Sequence, residues 1–157
     1  MGTRIRNAEP GDRRALEPFL ERWYSLRVAR RGELLYPLDH PALVAGDADG
    51  LLTYAIRGTD CEVMTLHTDR RRSGVGTALL AEVKEIARAA GCTRLWLITT
   101  NDNVDALRFY QRRGFRFAAL HGGAVDESRA RLKPEIPKVG DYGIPLRDEL
   151  ELEQAIE

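Results

Sequence analysis

Residues 71–76 read Arg-Arg-Ser-Gly-Val-Gly, and they lie between an apolar stretch, 63–66, and a helical pattern that begins at Thr77. The two glycines allow the backbone to approach an anion closely. The N-terminus of the following helix points N–H groups and the positive end of its dipole at the same place. The segment therefore predicts a binding site for a diphosphate. The alternative is an ordinary strand-to-helix turn, because Gly and Ser are common in turns.

Two other classes of phosphate-binding loop do not fit this segment. A nucleotide triphosphatase loop ends in Lys followed by Ser or Thr, and a dinucleotide fingerprint needs three glycines at their own spacing. Here Gly76 is followed by Thr77 and Ala78. The pattern Arg/Gln-x-x-Gly-x-Gly/Ala does fit, and it resembles the acyl-CoA pyrophosphate loop of the GNAT superfamily of N-acyltransferases.

A second segment, residues 101–115, strengthens this resemblance. GNAT enzymes follow their fifth strand with Asn-x-x-Ala-x-x-x-Tyr-x-x-x-Gly-Phe, and the chain places Asn103, Ala106, Tyr110, Gly114 and Phe115 at those spacings. The resemblance covers about residues 42–120. It implies an α/β (α+β) fold of the GNAT acyl-CoA N-acyltransferase type: a mixed, mostly antiparallel sheet with a central parallel strand pair and flanking helices.

The resemblance also implies how acetyl-CoA is held as cosubstrate. Backbone N–H groups of about residues 72–77 would bind the diphosphate, and one of two arginines would add a charge-assisted contact, although both could instead be solvated loop residues. Main-chain groups at the end of the fourth strand would bind the pantetheine arm. An asparagine would cap a helix and also form a hydrogen bond to that arm. The residues concerned are Leu66, His67, Thr68, Arg71, Arg72, Gly74, Val75, Gly76, Thr77 and Asn103. His67 is expected to act through its backbone, with a catalytic imidazole as the alternative.

Two side chains are candidates for the chemistry. An alkyl ammonium with a pKa near 10.4 is neutral only about once in 2,500 molecules at pH 7, a deficit of roughly 4.6 kcal/mol that a general base offsets in part. Glu62 matches the position of the glutamate base in many GNAT enzymes; its alternative is a surface strand residue or an arginine partner. Tyr110 is the expected acid for the departing thiolate, and its alternative is a core aromatic beside Phe109.

These residues predict an N-acetyltransferase that moves an acetyl group from acetyl-CoA to a primary amine by direct attack in a ternary complex. The positions of Cys61 and Cys92 do not favour a covalent intermediate. The rival hypothesis is a GNAT-fold module that senses acyl-CoA without turning it over. A small kinase is disfavoured by the missing lysine and by the second motif. The acceptor, a small molecule or a peptide, is left open.

The elements that position these residues follow from apolar periodicity. Strands are predicted at 3–8, 42–45, 51–57, 61–68, 94–99 and 116–120. An acid–leucine alternation at 149–153 predicts an edge strand with a solvated acidic face, and the alternative role for that face is to attract a cationic substrate. A first helix follows Asp12 as N-cap, with a kink or split at Pro18. A second helix runs from the diphosphate loop to Gly91, and strands 61–68 and 94–99 around it are expected to be parallel neighbours. Residues 28–41 are expected to be irregular, and about 121–148 to form a loop before the last strand, with an extended, Pro-rich part at 133–145.

Size and composition limit the remaining possibilities. A chain of 157 residues is expected to be one domain, residues 1–157. Lys+Arg and Asp+Glu are both 24, so no basic surface favours nucleic acid. Two cysteines suit neither a disulfide framework nor a structural zinc site, and no apolar segment is long enough to span a membrane. We expect a cytoplasmic protein without a metal ion, and a homodimer as its commonest assembly.

Overall fold

The computed structural model describes residues 4–69 and 74–157. Within them the chain forms two compact units. The first comprises residues 4–28, 36–69, 74–95 and 155–157, and the second comprises residues 29–35 and 96–154.

The first unit contains a four-stranded antiparallel arrangement with two helices. Its elements are β1 (Ile5–Asn7), α1 (Arg13–Arg22), β4 (Ala42–Ala45), β5 (Gly50–Arg57), β6 (Asp60–Thr68) and α2 (Val75–Ala89). The strands lie in the order β1-β4-β5-β6. The short strand β2 (Val28–Arg30) begins at the end of this unit and forms a separate two-stranded sheet with β3 (Glu33–Leu35).

The second unit contains the remaining strands and two more helices. They are β7 (Arg94–Thr100), α3 (Val104–Arg112), β8 (Arg116–His121), α4 (Ala124–Arg131) and β9 (Glu149–Ala155). Here the order is β7-β9-β8, and β8 and β9 are antiparallel. Taken as a fold class, the chain has a mixed α/β architecture with a mostly antiparallel sheet, one parallel pair and flanking helices, as the sequence predicted.

The two helices of the first unit cover opposite faces of its strands. Leu16, Phe19 and Leu20 of α1 form one apolar cluster with Leu51 of β5 and with β4. Helix α2 approaches Gly50, the neighbour of Leu51 along β5, where an added Cβ would lie 2.7 Å from Val75 Cγ1. Because neighbouring strand residues point to opposite faces, the α1 side and the α2 side are distinct.

A β-bulge in β6 changes which of its side chains share a face. Thr53 pairs with Thr65, but the next residue of β5, Tyr54, pairs with Val63, so Met64 is an extra residue. Beyond the bulge Glu62 faces Ala55, just as His67 faces Leu51. Residues that face each other across paired strands point to the same side, so Glu62 and His67 both lie on the α1 side. Strict alternation would have placed these two residues, five apart in sequence, on opposite sides.

The sequence suggested that the last strand lies at an edge of the sheet, but it does not. Strand β9 lies between β7 and β8, and Glu149 and Glu151 are 1% and 8% exposed. The prediction of a solvated acidic face is therefore wrong. Local alternation identifies the two faces of a strand, but the position of the strand in the sheet decides whether its polar face meets water.

Four local predictions differ from the structure, in whole or in part. Of the kink or split expected at Pro18, the split is wrong, because α1 runs through Pro18 as one helix. Asp12 is the N-cap residue of α1, as predicted, but its side chain makes no cap bond to the helix. It instead accepts the Glu9 N–H at 2.7 Å and pairs with Arg6 at 2.8 Å. Residues 28–41, expected to be irregular, contain the β2–β3 hairpin, and the expected loop after β8 contains α4.

Candidate active site

The α1 side of β6 carries three polar side chains in a row. Glu62 is 4% exposed and Thr65 is 6% exposed, so Glu62 is not the surface residue that was one alternative for it. The Thr65 hydroxyl bonds the Thr53 hydroxyl at 2.7 Å. Because Leu51 and Ala55, the partners of His67 and Glu62, are four residues apart, the two polar positions are separated by about 13 Å along the strand. The bulge therefore places a row of polar side chains on the α1 side of β6.

His67 is held in this row by Trp23 and Ser25, which follow α1. Its imidazole stacks on the indole of Trp23, with ring centroids 5.3 Å apart, and its Nε2 lies 2.9 Å from Ser25 Oγ. The Ser25 hydroxyl donates its proton to the Trp23 carbonyl at 3.1 Å. Ser25 Oγ must therefore accept from His67, which places the proton on Nε2 and leaves Nδ1 as an acceptor. Burial lowers the pKa of His67 to about 4, so the ring is neutral at pH 7.

The N-terminus of α2 has the backbone features of an anion site. Gly74 precedes the helix with φ 81°, a left-handed conformation that favours glycine. The Ala78 N–H donates to the Gly74 carbonyl at 3.0 Å, so the N–H groups of Val75, Gly76 and Thr77 come before the first intrahelical bond. The predicted contacts from Arg71 and Arg72 lie outside the described residues.

In the second unit, α3 carries the other two predicted residues. Asn103 is the N-cap of α3, and its Oδ1 accepts the Ala106 N–H at 3.2 Å. Tyr110 lies about two turns later and is 8% exposed. Its ring makes edge-to-face contacts with Phe109 and Phe115, at centroid distances of 5.2 and 5.4 Å. Burial raises the pKa of Tyr110, so the phenol is protonated at neutral pH and is a weaker acid than an exposed tyrosine.

Both cysteines are buried in the first unit. Cys61 and Cys92 are 0% and 4% exposed. Burial raises the pKa of Cys61 to about 12, and it raises the pKa of Cys92 as well. A thiol in such surroundings is a poor nucleophile, because the thiolate is the reactive form.

A cluster of charged residues in the second unit was not recognised from the sequence. Arg30, Glu149 and Glu151 are all less than 9% exposed, and Trp96 and Arg31 lie beside them. The alternating acids of residues 149–153 were the only signal for this cluster, and they were read as a solvated edge. Their partners come from residues 30–31, more than a hundred positions away, so no local pattern connects the two.

The described residues contain neither a group of side chains suited to a metal ion nor a helix suited to span a membrane. Across residues 4–69 and 74–157, no three His, Cys, Asp or Glu side chains are grouped so that they could hold a metal ion. No helix in the same ranges is long and apolar enough to cross a bilayer.

Comparison with known proteins identifies the family. The model of the acetyltransferase (GNAT) family matches residues 12–115, which contain both sequence motifs and every candidate residue named for the donor site and for catalysis. The chain belongs to the GNAT family of acetyltransferases. It is therefore an acyltransferase, as the two motifs predicted.

Several known proteins are similar to this GNAT acetyltransferase. The uncharacterized protein YdhI of Bacillus subtilis (strain 168) is 50% identical over 113 residues, which cover 72% of this chain and 70% of YdhI. A streptothricin acetyltransferase of Streptomyces lavendulae is 35% identical over 82 residues, 50% of this chain and 42% of that protein. The crystal structure of a Bacillus subtilis acetyltransferase in complex with CoA matches with a TM-score of 0.70 at 17% identity, covering 99% of each chain.

Proposed function

We propose that this GNAT protein transfers an acetyl group from acetyl-CoA to a primary amine by direct attack of the amine on the thioester in a ternary complex. The observation that carries the proposal is the position of Glu62. The bulge at Met64 turns this buried carboxylate to the α1 side of β6. A carboxylate kept from bulk water is suited to take a proton from an ammonium group, directly or through one water molecule.

In this proposal the donor is held by main-chain groups. The N–H groups of Val75, Gly76 and Thr77 bind the diphosphate together with Arg71 or Arg72, and glycine at position 74 allows close approach. Leu66, His67 and Thr68 contact the pantetheine arm through the backbone of β6. Asn103 adds a hydrogen bond to this arm while its Oδ1 caps α3. The family and its CoA-bound structural neighbours support this assignment.

The proton balance gives Glu62 and Tyr110 opposite roles. Glu62 accepts one proton from the ammonium form of the acceptor and later releases it to solvent. The freed amine nitrogen forms a bond to the acetyl carbon, and the carbon–sulfur bond breaks. Tyr110 donates its phenolic proton to the departing thiolate, and the resulting phenolate takes the second proton that the acylated nitrogen loses. The two buried thiols support direct attack, because neither is poised to form an acyl-enzyme.

The experiment combines a turnover assay with a binding assay. The protein is mixed with acetyl-CoA and a panel of primary amines that includes streptothricin, polyamines and peptide N-termini, while free CoA thiol is followed. Isothermal titration measures acetyl-CoA binding in parallel. We expect saturable binding, and thiol release that depends on one class of amine. Binding without amine-dependent thiol release would support an acyl-CoA sensor instead.

Several other expectations stay predictions. They are a single domain over residues 1–157, a homodimer, a cytoplasmic location, and the absence of a metal or nucleic-acid partner.

A further inference from the structure

Residues 140–148, named here the strap, lie against the turn that leads from β7 into α3. In this turn, residues 100–103, Asn101 holds the strap with its backbone and its side chain. Its N–H donates to the Asp148 carbonyl at 3.0 Å. Its side-chain amide donates at 2.8 Å to the carbonyl of one strap residue and accepts at 3.0 Å from the N–H groups of two others, which are Pro145, Arg147 and Asp148 in that order. The turn is thereby joined to a segment that lies 44 to 47 positions later in the sequence.

Asp102 makes a second connection to the strap, from a buried position. It is 6% exposed, and its two carboxylate oxygens accept from different donors. One oxygen accepts the Thr100 hydroxyl, and the other accepts the Asp141 N–H at 2.9 Å. Gly140 passes so close that an added Cβ would overlap Asp102 Oδ2. A side chain at position 140 would therefore push the strap away from the carboxylate, so glycine is needed for this close approach.

Tyr142 connects the strap to the first turn of α3. Its φ of 57° is uncommon for a residue other than glycine, and the residue is 69% exposed. Even at this exposure its phenol donates to the Asp105 carboxylate, whose two oxygens lie 2.8 and 2.9 Å away. Asp105 follows Asn103 by two positions, and Asp102 directly precedes it. The strap therefore binds the chain on both sides of Asn103.

The orientation of Asn103 depends on the turn rather than on the helix that it caps. Its φ of −83° and ψ of 64° lie outside the helical region, so α3 does not fix its backbone. Its N–H donates to the Thr100 carbonyl at 3.1 Å, within the turn. Its Oδ1 is used by the Ala106 N–H, so Nδ2 is the side-chain group that would bond the pantetheine arm. Whatever holds the turn also directs this group.

We propose that Asp102 is a positioning residue for the acyl donor, because it clamps the strap onto the turn and so directs Asn103 toward the pantetheine arm. Asp102 does not contact the donor in this proposal, and its effect on donor binding passes through Asn103. The proposal rests on the donor contact of Asn103 in the proposed function, and it does not depend on which amine accepts the acetyl group.

The experiment is a double-mutant cycle in which titration calorimetry measures acetyl-CoA binding without any amine. Asp102→Ala removes the clamp. Asn103→Ser keeps a side-chain oxygen for the cap of α3 but removes the amide that would contact the donor. Asp102→Asn is the conservative variant, because its oxygen can accept the Asp141 N–H while its amide donates to the Thr100 hydroxyl. Asp126→Ala, at an exposed position on α4, controls for the loss of one carboxylate.

We expect Asp102→Ala and Asn103→Ser each to bind acetyl-CoA about fivefold more weakly than wild type. The double variant should bind within about twofold of Asn103→Ser alone, because Asp102 has no effect once the Asn103 amide is gone. Asp102→Asn and Asp126→Ala should stay within about twofold of wild type.

Two results overturn the proposal: losses that multiply in the double variant, and wild-type binding by folded Asp102→Ala. If Asp102→Ala does not fold, Gly140→Ala takes its place in the same cycle, since its added Cβ separates the strap from the carboxylate. Wild-type binding by Asn103→Ser overturns the proposal together with the donor contact assigned to Asn103. Because the titration contains no amine, a failure to acetylate any amine leaves these results unchanged and contradicts only the proposed function.

Discussion

The imidazole of His67 and the indole of Trp23 are parallel to within 1°, with their centroids 5.3 Å apart. This stack, together with the bond to Ser25, fixes the ring in a partly buried position where it stays neutral. The pairing joins the end of β6 to the segment after α1, which are 44 residues apart in the sequence (67 − 23). It therefore links stability of the first unit to the protonation of one side chain.

The first prediction concerns stability against pH. The pKa of His67 is about 4 in the folded chain, below the value of 6.5 for an unperturbed histidine. Between pH 4 and pH 6.5 the unfolded chain binds a proton that the folded chain does not. The stability that neutral His67 gives the folded chain is therefore fully present above pH 6.5 and is lost as the pH falls to 4. This loss lowers the free energy of unfolding by at most about 3 kcal/mol. Urea unfolding of wild type and His67→Gln from pH 4 to 8 should show the stability difference shrinking in acid; parallel curves would contradict the lowered pKa.

The second prediction concerns the base. Glu62→Gln keeps the shape of the side chain but cannot accept the amine proton, so kcat should fall by about 10² to 10⁴. Affinity for acetyl-CoA, measured by calorimetry, should stay within about twofold. Glu82→Gln, at an exposed position on α2, is the matched control and should keep the wild-type rate. An unchanged kcat in folded Glu62→Gln would remove Glu62 from the mechanism.

The third prediction concerns the acid. Tyr110→Phe removes one hydroxyl and keeps the edge-to-face packing with Phe109 and Phe115, so Tm should change little while kcat falls by about 10². Tyr54→Phe removes the same atom from another tyrosine, 7% exposed, and serves as control. The loss should be smaller with a thioester whose thiol leaves more readily. If the rates of both variants equal that of wild type at every pH, Tyr110 is a core aromatic only.

The fourth prediction concerns the position of α2. An added Cβ at Gly50 would lie 2.7 Å from Val75 Cγ1 and 3.1 Å from Leu79 Cδ1. Gly50→Ala should therefore move the first turn of α2, cost about 1–3 kcal/mol of stability, and raise KM for acetyl-CoA more than it lowers kcat.

A control for this substitution is available in the same unit. Gly11→Ala adds the same atom where nothing lies within 4 Å, and φ is not in the left-handed region. Kinetics and thermal unfolding of both variants separate the clash from a general effect of alanine. Equal KM values in the two variants would show that the first turn of α2 does not govern donor binding.

Several features of the site could be predicted from the sequence because they depend on residues close together in the chain. The burial of Val75, Leu79 and Val83 along one face of α2 follows from a period of 3.6 residues, and the end of that helix follows from Gly91 with φ 84°. Asn103 as N-cap is likewise set by its own position before α3. The order of the two motifs was sufficient to identify the family.

Other features depend on the register and on distant partners. The face on which Glu62 lies was decided by the bulge at Met64, because alternation counted along β6 gives the opposite result. The burial of Glu149 and Glu151 was decided by the place of β9 between two strands and by a hairpin tip from residues 31–32. The sequence by itself determined the family and the helices α2 and α3, since these are properties of short segments. Only the tertiary structure decided which polar side chains meet, because strand register and burial arise from contacts between segments that no local period relates.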